Sequence, residues 1–268
     1  MSLRQSGAHA TALLAVAVAV FAVGGLYAQD RRHTIGQTVT PSFEGWFKDK
    51  DGSFGLVFGY FNRNFEATID IPVGPDNMLE PGPADQGQPT HFLTRRQVGV
   101  FTIKVPADFR NKTVTWTLVN GGQKLTIPGY IRPEWEITPF EEPTNGGTPP
   151  KIRFGAAVAA SEGPMGLTAS PLKARVNQPV SLRACIEPGH AGEDDDPASS
   201  RGTAVEWSVY RGGSARFAAP RTRVDKAGEV TTTATFDRPG HYRLRLLAGN
   251  AQTRGCCWTN SYFDVVVE

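Results

Sequence analysis

The 268-residue chain has few of the residues and motifs from which catalytic sites are recognised. Its five histidines include no pair at metal-ligand spacing, so a zinc hydrolase has no support. The Gly-x-Ser-x-Gly elbow of serine hydrolases is missing, and so is a glycine-rich phosphate-binding loop. Carboxylate pairs for sugar hydrolysis are not singled out by any pattern. An enzyme is therefore the least favoured class of function.

An excess of charge of either sign is also missing. The chain has 28 basic and 26 acidic side chains, which gives a formal net charge of +2. Nucleic-acid binding and attachment to an anionic membrane surface both depend on a strongly basic surface. The composition therefore predicts no nucleic-acid partner and no electrostatic membrane contact.

Long apolar runs are missing after the first 28 residues. Residues 1–28 carry Arg4, then an apolar run over residues 10–23, and then the small residue Ala28 before a polar stretch. This order is typical of a secretory signal cleaved after Ala28. The alternative is an uncleaved N-terminal anchor, although the run is shorter than the roughly 18–20 residues of a spanning helix. We expect an exported protein, periplasmic or at the cell surface, with membrane contact only if the segment is uncleaved.

Helical periodicity is absent beyond that segment, and alternation with a period of two replaces it. The clearest example places Tyr242, Leu244 and Leu246 on one face of a strand and Arg243 and Arg245 on the other. This pattern predicts a half-buried β-strand whose arginine face meets solvent. Strands are also predicted at residues 43–47, 54–61, 67–71, 98–105, 113–119, 124–127, 135–137, 152–154, 179–186, 204–210, 229–236 and 261–267. The fold class is therefore all-β.

Proline and glycine divide the chain. Residues 72–90 hold five prolines, which exclude a helix or a central strand and predict a long surface loop, functional or mobile. The Pro/Gly-rich residues 141–150 have no apolar side chain to bury and mark a domain boundary. We predict two tandem β-sandwich domains, residues 37–138 and residues 167–268, joined by a linker at residues 139–166.

Three features of the second predicted domain resemble a bacterial immunoglobulin-like or PKD-like β-sandwich. They are the strand start Pro179-Val-Ser-Leu, Trp207 on one strand face with Val205 and Val209, and Tyr242 in the segment Pro239-Gly-His-Tyr. The resemblance implies that Trp207 lies in the core and that the Tyr242 hydroxyl ties down the preceding corner. It identifies a fold and no activity, because this fold carries unrelated functions.

The first predicted domain has a weaker resemblance. Its segment from Tyr60-Phe-Asn-Arg-Asn through Gln88-Pro-Thr-His-Phe-Leu-Thr-Arg-Arg96 resembles uncharacterised secreted bacterial proteins. No activity comes with that resemblance. We expect a second sandwich here from the alternation alone.

The three cysteines cannot all pair within one chain. Ala184 and Leu244 occupy the positions of the inter-sheet disulfide of antibody domains, so that bond is absent. The immunoglobulin-like topology implies that the loop after the second strand and the loop before the last share one end of the sandwich. Our hypothesis is a disulfide from Cys185 to Cys256 or Cys257; the alternatives are three buried thiols or a bond between the adjacent pair.

The same end carries four consecutive acids, Glu193, Asp194, Asp195 and Asp196. Carboxylates are ligands for Ca²⁺, so a weak calcium site is one interpretation. Consecutive residues of a loop mostly point into solvent, so a solvated loop is the simpler interpretation. No other cofactor is predicted.

Two further places are candidates for a ligand surface. His91 with Arg95 and Arg96 forms the only basic and titratable cluster, which suits an anionic ligand; an exposed strand edge is the simpler interpretation. Trp258 lies near the cysteine-bearing end, where it either forms a contact surface or packs under the loop.

The sequence thus favours an exported, non-enzymatic protein that acts as a binding or structural module on an unknown protein or glycan partner. The alternative is a carbohydrate-binding accessory module with exposed aromatic rings that stack on sugars. The candidates for such rings are Trp46, Phe47, Tyr60, Phe61 and Trp258. The simpler interpretation is that these rings fill cores.

Overall fold

The computed structural model describes residues 34–155, 160–190, 203–225, 227–249 and 256–268. The predicted signal segment, residues 1–28, and the acidic residues 193–196 lie outside these ranges. Within them the chain forms eighteen β-strands and one 3₁₀ turn, Pro133–Trp135, with no α-helix. The all-β prediction is confirmed. A helix long and apolar enough to cross a bilayer is not found in the ranges described.

Six of the first eight strands build two facing sheets, and the other two form a pair of their own. The eight strands are β1 (Val39–Lys48), β2 (Phe54–Asn62), β3 (Ile69–Asp70), β4 (Asn77–Glu80), β5 (His91–Phe92), β6 (Arg95–Val105), β7 (Thr113–Asn120) and β8 (Gln123–Tyr130). The sheet β1-β2-β6 faces the sheet β4-β7-β8, and β3 pairs with β5. We call this body the N-terminal sandwich.

The core of the N-terminal sandwich follows from the alternation on β7. Val114, Trp116 and Leu118 are buried, as the sequence predicts. The Trp116 ring meets Phe58 of β2 and Phe101 of β6 edge-on, with ring centroids 6.2 and 4.9 Å apart. Edge-to-face rings at this spacing are favourable because ring edges and ring faces carry opposite partial charges. Trp116 therefore joins the two sheets.

The proline-rich residues 72–90 contain a short strand, β4, at the outer edge of its sheet. The prediction that no central strand forms there agrees with this position. Outside β4, hydrogen bonds from side-chain amides, and not strand pairing, fix the backbone of this loop. Asn77 donates to the carbonyls of Ile71 and Pro89 at 2.9 and 2.8 Å, and Gln86 donates to the carbonyl of Leu79 at 3.1 Å. The loop is thus tied to the sandwich.

The remaining ten strands build a second body, the C-terminal sandwich. They are β9 (Lys151–Arg153), β10 (Leu167–Thr168), β11 (Leu172–Ala174), β12 (Val180–Glu187), β13 (Ala204–Arg211), β14 (Ala215–Phe217), β15 (Arg221–Arg223), β16 (Glu229–Phe236), β17 (Gly240–Gly249) and β18 (Trp258–Val267). One sheet has the order β14-β16-β12-β9. The other has the order β10-β18-β17-β13-β15, with β11 also parallel to β18.

The C-terminal sandwich is immunoglobulin-like. Its two strand orders reproduce the ABED and GFC sheets of that fold, with β12 and β17 in the positions of strands B and F. Trp207 is buried in the core, and the Tyr242 hydroxyl donates to the carbonyl of Arg238 at 3.1 Å. Both expectations drawn from the resemblance are confirmed.

Residues 139–166, predicted as a linker, contact both bodies. Phe140 meets Phe47 of the N-terminal sandwich edge-on at 5.4 Å between ring centroids. Strand β9, predicted at this place, pairs with β12 and extends a sheet of the C-terminal sandwich. Residues from Ile35 to Glu268 form one compact unit. The division into two domains at this segment stays a prediction.

The outer face of the sheet containing β13, β17 and β18 packs on the N-terminal sandwich. Tyr210 and Tyr262 leave that face and enter the N-terminal core, with ring centroids 5.1 Å apart. The Tyr210 hydroxyl donates to the carbonyl of Gly87, and Arg211 donates to the carbonyl of Gln88 at 2.8 Å. The loop predicted to be functional or mobile is therefore part of the joint between the two sandwiches.

Candidate functional site

The register of β17 decides which side chains face the joint. Leu244 and Leu246 point into the C-terminal core, so Arg243 and Arg245 occupy the opposite face, as the alternation predicts. That face was expected to meet solvent. It is covered instead, and Arg245 is only 4% exposed. The expectation of a wet face is wrong at Arg245 because the N-terminal sandwich lies over it.

A cleft of about 880 Å³ opens beside Arg245 in this joint. The N-terminal sandwich contributes Leu93 and the start of β6, and the C-terminal sandwich contributes β13, β15 and β17. Among the described residues, the charged side chains on its walls are Arg95, Arg96, Arg221, Arg223, Arg245 and Glu206. The described lining thus holds five guanidiniums and one carboxylate, although the whole chain is near neutral.

Arg95 is held at the cleft by two aromatic rings. Its guanidinium carbon lies 3.8 Å from the ring centroid of Phe65 and 5.4 Å from that of Phe61. A cation over a ring face is attracted by the negative face of the ring. The Arg95 backbone has φ = 67°, which is uncommon for a residue other than glycine. Ring stacking and backbone conformation together fix where this charge sits.

Two of the other arginines already have carboxylate partners. Arg96 pairs with Glu44 at 2.8 Å and also donates to the Ser42 hydroxyl at 2.6 Å. Arg221 pairs with Glu206 at 3.3 Å across the β13–β15 pair. Arg96 and Arg221 are therefore each engaged by a carboxylate of the described chain.

Arg245 differs from the neighbouring arginines of its sheet face. Its Nε donates to Asn260 Oδ1 at 2.9 Å, and its Nη2 donates to the carbonyl of Gly99 at 3.0 Å. Both acceptors are neutral, and no carboxylate pairs with it anywhere in the described ranges. By contrast, Arg243 pairs with Asp264 at 2.7 and 2.8 Å, and Arg211 pairs with Asp85 at 3.0 and 2.7 Å. Arg245 is thus a buried charge without a counter-ion from the described chain.

The phenols around Arg245 do not supply that counter-ion. Burial raises the pKa of Tyr60, Tyr210 and Tyr262, although Arg245 acts on all three in the opposite direction. A raised pKa keeps a phenol protonated and neutral at physiological pH. The Tyr262 hydroxyl donates to the carbonyl of Val100 at 3.3 Å, and the Tyr60 hydroxyl accepts from the Leu93 amide at 2.9 Å.

Of the four residues predicted as a ligand surface, two line the cleft and two do not. Arg95 and Arg96 stand on its wall. His91 is 4% exposed, with Nδ1 2.6 Å from Asp70 Oδ1, so neither a ligand surface nor an exposed strand edge describes it. Trp258 is 1% exposed and packs with Phe47 behind the cleft. Trp258 is thus a buried side chain in this structure.

The aromatic rings considered for sugar stacking fill cores. Trp46, Phe47, Tyr60 and Trp258 are buried, and Phe61 is partly buried beneath Arg95. The described walls of the cleft include no aromatic side chain. These positions give no support to a carbohydrate-binding platform.

The cysteines pair differently from our hypothesis. The structure joins Cys256 to Cys257 and leaves Cys185 as a free thiol. Cys185 lies on β12 opposite Glu229, in the sheet that faces away from the joint, whereas the adjacent pair precedes β18 in the other sheet. This arrangement corresponds to the alternative of a bond between neighbours.

Peptide mapping without reduction is expected to yield Cys256 and Cys257 in one peptide, two hydrogens lighter than the reduced form. Cys185 is expected to react with iodoacetamide under denaturing, non-reducing conditions. Reduction before alkylation should raise the number of labelled cysteines from one to three. Recovery of a Cys185 peptide linked to the segment containing Cys256 and Cys257 would restore the long-range hypothesis.

The predicted metal site is not part of the described structure. Where side chains are described, no group of three or more His, Cys, Asp or Glu residues is placed to hold a metal ion. The acidic residues 193–196 lie outside those ranges. A calcium site at those acids therefore stays a prediction.

In the comparisons with known proteins, the similarity found is to solved structures. No family model and no curated protein matches the chain. Among solved structures, the D0-D1 domain of Intimin is similar over 86% of this chain and 98% of that one, at 10% identity and a TM-score of 0.27. The D00-D0 domain of Intimin is similar over 85% of this chain and 100% of that one, at 11% identity and a TM-score of 0.27. Domains 4 and 5 of the S-layer protein SbsC are similar over 86% of this chain and 98% of that one, at 13% identity and a TM-score of 0.25. Similarity at these values transfers no activity and no partner.

Proposed function

We propose that the chain is an exported, non-enzymatic binding module of two joined β-sandwiches, acting in the periplasm or at the cell surface. Its ligand is anionic and occupies the arginine-lined cleft. The observation that carries the proposal is the lining of that cleft, whose described residues hold five guanidiniums and one carboxylate around about 880 Å³. The signal-like residues 1–28 support export.

The chemistry of the cleft wall suits recognition. An arginine side chain stays charged at any physiological pH, so it does not exchange protons with a substrate as a general acid or base does. The carboxylate of the cleft, Glu206, is engaged by Arg221 at 3.3 Å. A surface of fixed positive charges with apolar patches such as Val98 and Leu247 favours holding an anion over converting it.

The joint supports a preformed site. Arg211 makes a bidentate pair with Asp85 across the joint, and hydrogen bonding from the guanidinium holds the pKa of Asp85 below its usual range. Asn260 donates to the carbonyls of Gly99 and Pro164 at 3.0 Å each. Contacts of this kind fix the two cleft walls relative to each other, and a site that needs no ordering binds more tightly.

The test measures anion binding and its location. The mature chain is expected to bind fluorescein-labelled dextran sulfate in an anisotropy titration, with an affinity that falls as salt rises. The double variant R95E/R223E should bind at least tenfold more weakly, because it reverses the charge of two side chains that line the cleft. This tenfold loss equals about 1.4 kcal/mol.

The matched control is R183E/R216E, which makes the same change of net charge on exposed residues of the other sheet. It should bind within about twofold of the unchanged chain, since those positions are remote from the cleft. Equal losses in both double variants would mean that net charge alone drives binding. Unchanged binding in R95E/R223E would remove the cleft from the proposal.

A further inference from the structure

We infer that the anion taken by the cleft is an acidic polypeptide segment, and that Arg245 receives one of its side-chain carboxylates. This inference rests on the proposed function and gives its ligand a chemical class. Three observations carry it: the unmatched charge of Arg245, the strand edge beside it, and the apolar and non-aromatic character of the remaining wall.

The first observation is the unmatched charge. A charge removed from water is costly unless an opposite charge compensates it. Arg245 is 4% exposed, and its two described partners, Asn260 and the carbonyl of Gly99, are neutral. These two bonds use Nε and Nη2 and hold the planar guanidinium in one orientation. Nη1 has no partner among the described residues, and Arg245 lines the cleft.

Such a group is a preformed receptor for an anion. A carboxylate matches the geometry of a guanidinium and makes a charge-assisted hydrogen bond to it, which is stronger than a neutral one. The neighbours show what completion requires, since Arg243 and Arg211 on the same sheet face each have a bidentate carboxylate. The ligand would supply Arg245 with a carboxylate partner, as Asp264 does for Arg243.

The second observation favours a polypeptide as the carrier of that carboxylate. β6 is the last strand of the sheet β1-β2-β6, and its residues 95–98 line the cleft. Residues 95–97 pair with β2 on one side only. Further along β6, the carbonyls of Gly99 and Val100 are already taken by side chains of the C-terminal sandwich. An extended segment can add to the open part of this edge through backbone hydrogen bonds.

The third observation concerns the rest of the wall. Leu93, Val98, Val205 and Leu247 give it apolar patches between the arginines, and its described residues include no aromatic ring. Side chains of a peptide can use such patches alternately with its acids. A polyuronate bound in the cleft would find no aromatic side chain in the described wall on which its sugar rings could stack. Arg95, fixed over Phe65, is placed to meet a second acid of the same segment.

The experiment uses the mature chain and three fluorescein-labelled probes in anisotropy titrations. The probes are an octapeptide of glutamate, an octapeptide of glutamine and an oligogalacturonate of eight units. We expect the glutamate peptide to bind, the glutamine peptide not to bind, and the oligogalacturonate to bind at least tenfold more weakly than the glutamate peptide. R245M should weaken binding of the glutamate peptide at least tenfold. The control R216M, which replaces an exposed arginine on β14, should leave the affinity for this peptide within twofold of the unchanged chain.

A second measurement does not depend on how R245M folds. Hydrogen exchange of the unchanged chain is expected to slow at the amides of residues 95–98 when the glutamate peptide is added, and to stay unchanged with the glutamine peptide. No slowing at this edge would overturn strand addition, and binding of the glutamate peptide to folded R245M at full affinity would overturn the role of Arg245.

The outcomes separate this inference from the proposed function. If oligogalacturonate binds at least as well as the glutamate peptide and R95E/R223E abolishes that binding, the polypeptide class is wrong while the cleft remains an anion site. If neither these probes nor dextran sulfate binds, the proposed function itself is wrong.

Discussion

The substitution Gly99→Ala is expected to lower the free energy of unfolding by about 2–5 kcal/mol, from a left-handed backbone penalty and overpacking together. Gly99 has φ = +59°, a conformation that a side chain disfavours. A Cβ built there would lie 2.5 Å from Cζ2 and 2.6 Å from Cε2 of Trp258. That indole is 1% exposed and packs with Phe47, so it has no free space into which it can move.

The same substitution should also reduce anion binding, because the Gly99 carbonyl orients Arg245. That carbonyl accepts from Arg245 Nη2 and from Asn260 Nδ2, both at 3.0 Å. A displacement of β6 away from Trp258 moves the acceptor that holds the guanidinium. We therefore expect weaker binding of dextran sulfate by G99A even at temperatures where the variant is folded.

Gly122→Ala is the matched control. Gly122 has φ = +73°, but no atom lies within 4 Å of a Cβ built at that position. It should lose only the backbone part, about 1–2 kcal/mol. Urea unfolding followed by tryptophan fluorescence measures both variants. Equal losses of unfolding free energy for G99A and G122A would mean that the Trp258 ring moves aside without cost. The close approach of Gly99 to Trp258 would then not stabilise the joint.

The strand pattern was predictable at Arg245, but its burial was not. Alternation along β17 places this side chain opposite Leu244 and Leu246 from sequence alone. What covers the opposite face depends on the N-terminal sandwich. The Gly99 carbonyl, to which Arg245 donates a hydrogen bond, is 146 residues away in the chain. Local periodicity reports which residues share a face. It carries no information on whether a distant segment packs over that face.

Trp258 and the cysteines illustrate the same distinction. An apolar ring at a strand start is equally compatible with exposure and burial, and the neighbouring backbone of Gly99 decides between them. An odd number of cysteines shows that one thiol is left over, but the pairing itself cannot be deduced from sequence. The corner tyrosine was predictable because its bond to Arg238 spans four residues and belongs to a recurrent motif.

The loop of residues 72–90 was only half predictable. Its prolines predict that no central strand forms there, and the one strand of this loop, β4, does lie at the edge of its sheet. Its order comes from amide side chains that replace strand hydrogen bonds, and a sequence does not reveal which carbonyls an asparagine will reach. Asn77 and Gln88 are both fully buried and bonded. The loop can therefore present Gly87 and Gln88 to Tyr210 and Arg211 of the other sandwich.

Asn77→Ala is expected to be the most damaging polar substitution in this loop, with a loss of about 3–6 kcal/mol from three buried groups left without a partner. The Asn77 amide donates to the carbonyls of Ile71 and Pro89, and its Oδ1 accepts from Trp116 Nε1 at 3.0 Å. Alanine satisfies none of the three. Trp116 joins the two sheets of the N-terminal sandwich, so the damage extends into its core.

The loss should also loosen the joint, because the same loop carries Asp85 and Gln88 to Arg211. Hydrogen exchange at residues 85–90 is expected to quicken in N77A before the chain unfolds globally, and anion binding should weaken in parallel. Asn111→Ala, at an exposed turn before β7, is the matched control and should stay within about 0.5 kcal/mol. If N77A loses no more than N111A in urea, the loop is ordered by its prolines and the amide network does not hold the two sandwiches together.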